Sequence, residues 1–287
     1  MASIAKHGRK VNRSGGGNAT IIIILFLMGI MMVVPLFYTV IQSLKPLEEL
    51  FVYPPRFYVV NPTLDNFTML FTLTSNLWVP FSRYLFNSLF ISILCTALQV
   101  ILASMAAYPL AKHEFPGRKF FFSLITVALL FTGDVTFIPQ YIIISSMRLI
   151  NTYWALILPS LAYVYGLYLM RQNMIDFPAE IIEAARVDGA SEYRIFWGIV
   201  MPSMKPVWLT LVIFSFNGLW GRSDTAFIYN ESLKGLPTVL SQLAAGGIAR
   251  AGVGAAVGLV MIIPPILTFI IAQSNVMEAM ANAGMKD

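Results

Sequence analysis

The sequence predicts an all-α, polytopic membrane protein of about six transmembrane helices, on three observations. The 287-residue chain is 57% apolar and only 11% charged, whereas roughly a quarter of the residues of a soluble domain are charged. Its mean hydropathy is +0.73. Apolar runs recur at the length of a span, because ~30 Å of hydrocarbon crossed at ~1.5 Å per residue takes about 20 residues. The runs lie near 20–42, 84–111, 119–145, 151–171, 200–220 and 254–274.

Residues 1–19 are basic and glycine-bearing (Gly15 to Gly17) and read as a flexible tail. Residues 20–83 hold the first span, read as an uncleaved helix, and an external loop. In that loop Pro46, Pro54, Pro55, Pro62 and Pro80 oppose regular helix. Thr63 can cap a short turn running from Asn66 to Leu70. The second span carries the one cysteine, Cys95, as packing material. Gly133, Asp134 and Pro139 interrupt the third, which predicts a shorter helix followed by an irregular segment near the outer face. The connection over 221–253 is too polar to span and too glycine-rich for one helix. Gly254 and Gly258, four apart, permit close helix packing within the chain. Residues 84–275 form the core, and 276–287 a second tail.

Charge sets the sidedness. Lys6, Arg9, Lys10, Arg13, Lys112, Arg118, Lys119, Arg171, Arg186, Arg194, Lys205 and Lys286 fall on one side of a six-span arrangement, twelve of nineteen basic residues. The positive-inside rule makes that side cytoplasmic and puts both termini there. The net charge of +5 thereby answers to the bilayer and not to nucleic acid.

The polar segment from 172 to 199 cannot lie in lipid, since it holds Asp176, Glu180, Glu183, Arg186, Asp188, Glu192 and Arg194. Asp176 is expected to cap a helix opened by Pro178. That helix stops at Gly189, where a left-handed residue costs least. Ser191 then starts a second short helix with Phe196 and Trp197 on its apolar side. The expected product is a hairpin of two short helices lying along the membrane surface.

Glu183, Ala184, Ala185, Gly189, Ile199 and Pro202, with Met201 before the proline, stand at the spacings of a known pattern. The pattern resembles the cytoplasmic signature of the membrane subunits of binding-protein-dependent ABC importers. The stretches 84–89, 107–111, 115–118, 138–141, 149–153 and 155–159 resemble the carbohydrate branch of that family, whose closest known shape is the six-span maltose-type permease. The chain departs from that branch at Trp220-Gly221, where Trp-Asn is usual.

The resemblance implies an ABC type I importer permease fold in the bacterial inner membrane. It implies a second homologous permease, two ATPase subunits and an extracytoplasmic substrate-binding protein as partners. Glu183, Ala184, Ala185, Asp188, Gly189, Ala190 and Phe196 are the implied ATPase-coupling residues. ATP and Mg belong to the partner ATPase, and no cofactor to this chain. The sequence itself agrees with that division: it holds no G-x-x-x-x-G-K-[ST] phosphate loop, no metal-ligand cluster and no nucleophile–base pair. Tyr163, Tyr165, Asn217 and Trp220 are candidates for a substrate path, since aromatic faces suit sugar rings and a buried amide can bond a hydroxyl. Packing and interface anchoring explain the same residues. The solute is expected to be a sugar or oligosaccharide. A permease for peptides or polyamines, or a proton- or sodium-coupled carrier, stays open at this point; the carrier would need an intramembrane charge relay, for which only Asp134 is a candidate.

Overall fold

The computed structural model describes residues 15–76, 79–131, 133–223, 226–247 and 250–283. The basic residues Lys6, Arg9, Lys10, Arg13 and Lys286, most of the first tail and the end of the second lie outside them. Helix α1 (Gly15–Leu44) opens the described chain, so helix takes in the last five residues of the segment read as a tail. It is followed by the single turn α2 (Leu47–Leu50) and by α3 (Asp65–Asn76). The backbone amide of Asp65 donates to Thr63 Oγ1 at 3.0 Å. Asn66, buried, donates to the carbonyls of Ser43 and Lys45 and so ties α3 to the end of α1. The short turn expected there is a helix of 12 residues.

The centre of the fold is α4 (Phe81–Lys112). Polar side chains are buried along it: Asn87, Ser88, Ser92, Thr96, Gln99 and Ser104. After it come α5 (Arg118–Ala128) and α6 (Gly133–Ser146), whose axes differ by 108°. The third apolar run is therefore two helices, and the segment beyond the break is regular helix rather than the irregular stretch expected. The fourth run is also divided, into α7 (Trp154–Leu161) and α8 (Val164–Ile175). Next come α9 (Ala179–Val187), α10 (Glu192–Ile195), a π-helical turn over Phe196–Val200, α11 (Met201–Ser203) and α12 (Lys205–Trp220). A 3-10 turn at Glu231–Leu233 and α13 (Leu236–Ala244) fold the 221–253 connection, and α14 (Ala251–Ala283) closes the chain.

Among the described residues, three helices are long and apolar enough to cross a membrane: Ala19–Leu44, Phe81–Lys112 and Ala251–Gln273. Two bent pairs, α5 with α6 and α10–α11 with α12, pass the same test of length and composition together, which makes up to five if each pair counts as one span. The divided α7–α8 run occupies the place of the remaining expected span.

Three apolar clusters hold these helices. One joins the carboxyl end of α4 to α8, the 177–204 segment and α12, around Met170, Met174, Ile195 and Leu211. The second, at the other end of α4, gathers Leu70, Phe81, Tyr84, Phe216, Trp220, Leu236 and Val257. The third packs Ile144, Ala155 and Leu156 against Phe227 and Ile228. Cys95 is fully buried. A Cβ on Gly258 would meet Thr39 of α1 at 3.7 Å, an ordinary contact, and one on Gly254 would meet nothing within 4 Å, so neither position requires glycine for close packing within the chain.

Candidate functional site

The polar segment folds as a hairpin on the carboxyl end of α4. Asp176 does not cap its first helix. It ends α8, and Pro178 stands at the N-cap of α9 with no side-chain cap. The reason lies in α4, where Lys112 Nζ donates to the carbonyls of Ile175 at 3.0 Å and Phe177 at 2.5 Å, fixing the turn. Glu180 sits in the first turn of α9, beside the positive end of its dipole.

The helix stops as its glycine requires. Gly189 has φ +78°. Its amide donates to the Arg186 carbonyl, and that of Ala190 to the Ala185 carbonyl, both at 3.0 Å. This pair of bonds is the Schellman closure of a helix end. Ser191 then caps α10, its hydroxyl accepting from the Arg194 amide.

Burial sorts the signature residues into two faces. Ile182, Ala185, Ile195 and Phe196 are turned into the chain's own core, at 3%, 9%, 0% and 5% exposure. Glu183, Ala184, Asp188 and Gly189 are exposed, Ala190 is half-buried, and Val187 is 88% exposed. Ala185 and Phe196, both named among the coupling residues, are buried in the chain, Phe196 on the apolar side expected of it, and they offer a partner little surface. Residues 182 and 185 are three apart on α9 and share its buried side. Phe196 packs on Tyr108 with ring centroids 5.4 Å apart and on Trp197 at 4.9 Å.

Glu192 pins the hairpin. Its carboxylate accepts from Arg186 Nε at 2.7 Å and from the Tyr108 hydroxyl at 3.0 Å, and lies 3.2 Å from His113 Nε2. The Arg186 bond, followed by that of Tyr108, holds the Glu192 carboxyl below its ordinary value. The α4 end beneath is itself closed by cations. Arg118 donates to the Leu110 and Ala111 carbonyls, and Arg171 to the Leu110 carbonyl while stacking 3.6 Å over Phe122. Basic side chains at a helix carboxyl end answer both its open carbonyls and its dipole. Sequence reasoning named these charges without pairing them. The available signal was Arg186 and Glu192 facing each other across the Gly189 turn.

Beyond the hairpin, Pro206 has no amide to continue the ladder, and α10–α11 meets α12 at 77°. Trp208 Nε1 donates to the Met201 carbonyl at 3.2 Å, satisfying a group near that bend.

The substrate-path candidates do not form one site. Tyr163 and Tyr165 lie edge to face at 6.2 Å, and Tyr165 meets Phe214 at 6.1 Å. Asn217 is exposed, one helical turn from Phe214. Trp220 is 3% exposed, stacks on Phe216 and donates to the Met261 carbonyl at 2.8 Å. It therefore packs α12 on α14, away from the Tyr163 string. A buried polar knot escaped sequence reading: Gln99 Nε2 donates to the Ser160 carbonyl at 2.6 Å, and the Ser215 hydroxyl donates to Gln99 Oε1 and pairs with the Thr96 hydroxyl at 3.2 Å.

The opposite end of α4 organises the 221–253 connection. Asn87 donates to the carbonyls of Ser232 and Lys234, and Tyr84 donates to Glu231. Burial alone would raise the Glu231 carboxyl, and hydrogen bonds from Lys234 and Tyr84 hold it below its ordinary value.

No family model matches the chain. Protein LplC of Bacillus subtilis (strain 168) is 34% identical over 219 residues, covering 74% of this chain and 70% of that protein. The arabinooligosaccharides transport system permease protein AraQ of Halalkalibacterium halodurans is 29% identical over 262 residues, 88% of this chain and 91% of its own. A solved bacterial ABC transporter involved in the import of the acidic polysaccharide alginate shares the fold, with a TM-score of 0.77 at 21% identity. That match covers 91% of this chain and 98% of the other.

Proposed function

The chain belongs to the ABC-importer permease family, and on that premise we propose that it is the half-channel of a bacterial sugar or oligosaccharide importer that an ATPase works through the 179–195 hairpin. It would sit in the inner membrane with the hairpin and both termini cytoplasmic. It would pair with a second, homologous permease. Two ATPase subunits would bind ATP and Mg, and a binding protein would deliver the solute outside. Relatives named for arabinooligosaccharide transport, and an alginate importer of the same fold, support a carbohydrate solute.

One observation carries the coupling role: a two-faced hairpin. Its inner face is anchored in the core through Ile182, Ala185, Ile195 and Phe196, so a force applied outside is passed on and not absorbed. Its outer face offers Val187 and the Ala184 step, low enough for close approach, with Glu183 and Asp188 as carboxylates for basic partner residues. Ala185 and Phe196 then act as anchors and the exposed residues as the grip.

The test is Ala184→Arg in the reconstituted importer. Membrane insertion and thermal stability should be unchanged, because this side chain is exposed. ATPase co-purification and ATP-driven uptake should both be lost. Coupled uptake at the unmodified rate would overturn the assignment of the grip.

A further inference from the structure

Two guanidiniums meet at the carboxyl end of α4 with no carboxylate to neutralise them. Arg118, the first residue of α5, donates through Nε to the Leu110 carbonyl at 3.0 Å and through Nη2 to the Ala111 carbonyl at 3.2 Å. Arg171, near the end of α8, donates through Nε to the same Leu110 carbonyl at 3.2 Å. The two charges therefore stand within two hydrogen-bond lengths of each other. Among the described residues, neither forms an ion pair. The charged group that acts on Arg171 is Arg118, with no carboxylate beside it. Lys119 adds a third, exposed cation.

Closing the end of α4 does not explain the pair. One guanidinium satisfies the Leu110 carbonyl and answers the helix dipole. A second at the same oxygen adds repulsion between like charges, which is stronger at the edge of a low-dielectric layer than in water. Most of the N–H donors on the two groups are left over after these three bonds. Arg171 is held in place by the Phe122 ring 3.6 Å from it, and that ring stacks on Tyr168 at 6.1 Å. Two fixed, half-exposed forks of this kind match an anion with several acceptor oxygens. The surroundings say which anion. From Arg118 onward α5 turns Phe120, Phe121, Leu124 and Val127 outward, all exposed. Phe120, Leu124 and Val127 follow at the four- and three-residue steps of one helix face. An apolar strip thus leads away from the cations along the third apolar run. A phosphate group with acyl chains beneath it fits that order of charged and then apolar surface, whereas free phosphate would use the cations alone. The hairpin packs on this same end of α4, so on the cytoplasmic side proposed for it the pair faces the anionic leaflet, where basic pockets among helices take phospholipid headgroups.

We propose that Arg118 and Arg171 form a headgroup site for an anionic phospholipid of the cytoplasmic leaflet, whose acyl chains lie along the outer face of α5. The inference goes beyond the permease reading and takes from it only the sidedness. Native mass spectrometry of the complete importer, released from neutral detergent with equal amounts of phosphatidylglycerol and phosphatidylcholine, counts the lipids that stay bound. Phosphatidylglycerol should be retained about tenfold over phosphatidylcholine, and excess inorganic phosphate should not displace it. Arg171→Gln and Arg118→Gln each leave the other guanidinium on the Leu110 carbonyl, so the end of α4 stays closed. Each should lose one phosphatidylglycerol per copy of this chain with its melting midpoint little changed, while Lys205→Gln, an exposed cation elsewhere, should lose none. Equal retention of the two lipids overturns the proposal, as it must if an acid of a neighbouring subunit is the counter-ion. Displacement by inorganic phosphate overturns it as well, leaving a pocket for free anions. Undiminished retention in both arginine variants overturns it by placing the lipid elsewhere. ATP-driven uptake by the same preparation tests the permease reading separately, so failure of one is not mistaken for failure of the other.

Discussion

Removal of the Glu192 carboxylate should loosen the hairpin without disturbing the helices that carry it. In Glu192→Ala the Tyr108 hydroxyl, on a residue 5% exposed, loses its acceptor. Leaving such a group unpaired costs about 1–3 kcal/mol. The Arg186 pair is about half exposed on both sides and adds a few tenths of a kcal/mol at most. A sum near 2 kcal/mol is roughly a thirtyfold increase in the opened population, at ~1.4 kcal/mol per tenfold. Amide hydrogen exchange in nanodiscs reads this directly. The Gly189, Ala190 and Ile195 amides, bonded at 3.0, 3.0 and 2.9 Å, should exchange about thirtyfold faster, and those of central α4 should not change. The same bond sets a pH sign. Because the folded carboxyl is held low, its contribution is complete above the ordinary carboxylate value and is lost as pH falls through the lowered one. Hairpin protection that is unchanged in Glu192→Ala would refute the view that this carboxylate pins it.

Three further outcomes follow from the geometry. Gly189→Ala forces a Cβ into a left-handed residue and should cost about 1–2 kcal/mol, read as a lower Tm with normal insertion. Gln99→Leu removes the Gln99 amide from the Ser160 carbonyl and leaves the Ser215 hydroxyl with Thr96 alone; it should cost about 1–2 kcal/mol by denaturation in detergent, and Ser215→Ala less. Gly166→Ala would bring a Cβ to 2.4 Å from the Tyr163 ring, so it should destabilise by about 1–3 kcal/mol, and Tyr163→Ala in the same chain should restore most of that.

The hairpin was the most legible part of this molecule because local chemistry writes it. Gly189 and Ser191 mark a helix stop and start wherever they occur in such a run, and both do so here. Asp176 misled because its role depends on Lys112, sixty-four positions earlier, which took the nearby carbonyls. The face of Ala185 was readable from the three-residue step after Ile182, but the Glu-Ala-Ala spacing drew attention to adjacency and not to direction. The α7–α8 break was hidden altogether. Neither Gly nor Pro stands at Ala162 or Tyr163, although Pro159 and Gly166 flank them; at the break the Gln99 amide from another helix meets the Ser160 carbonyl, and the Tyr163 ring lies over Gly166. Such contacts are tertiary, and in the run itself only Pro159 and Gly166 hint at the break.

The 77° corner ahead of α12 has a mechanical meaning. A shove directed along α10–α11 carries only cos 77°, about 0.22, of its length down the α12 axis, while sin 77°, about 0.97, goes crosswise. With the Trp208 indole bracing the inside of the corner, such a shove tilts the long arm and scarcely slides it. Spin-label distances from α12 to α4 should then change most at the Trp220 end, and a uniform shift along the whole arm would contradict this lever.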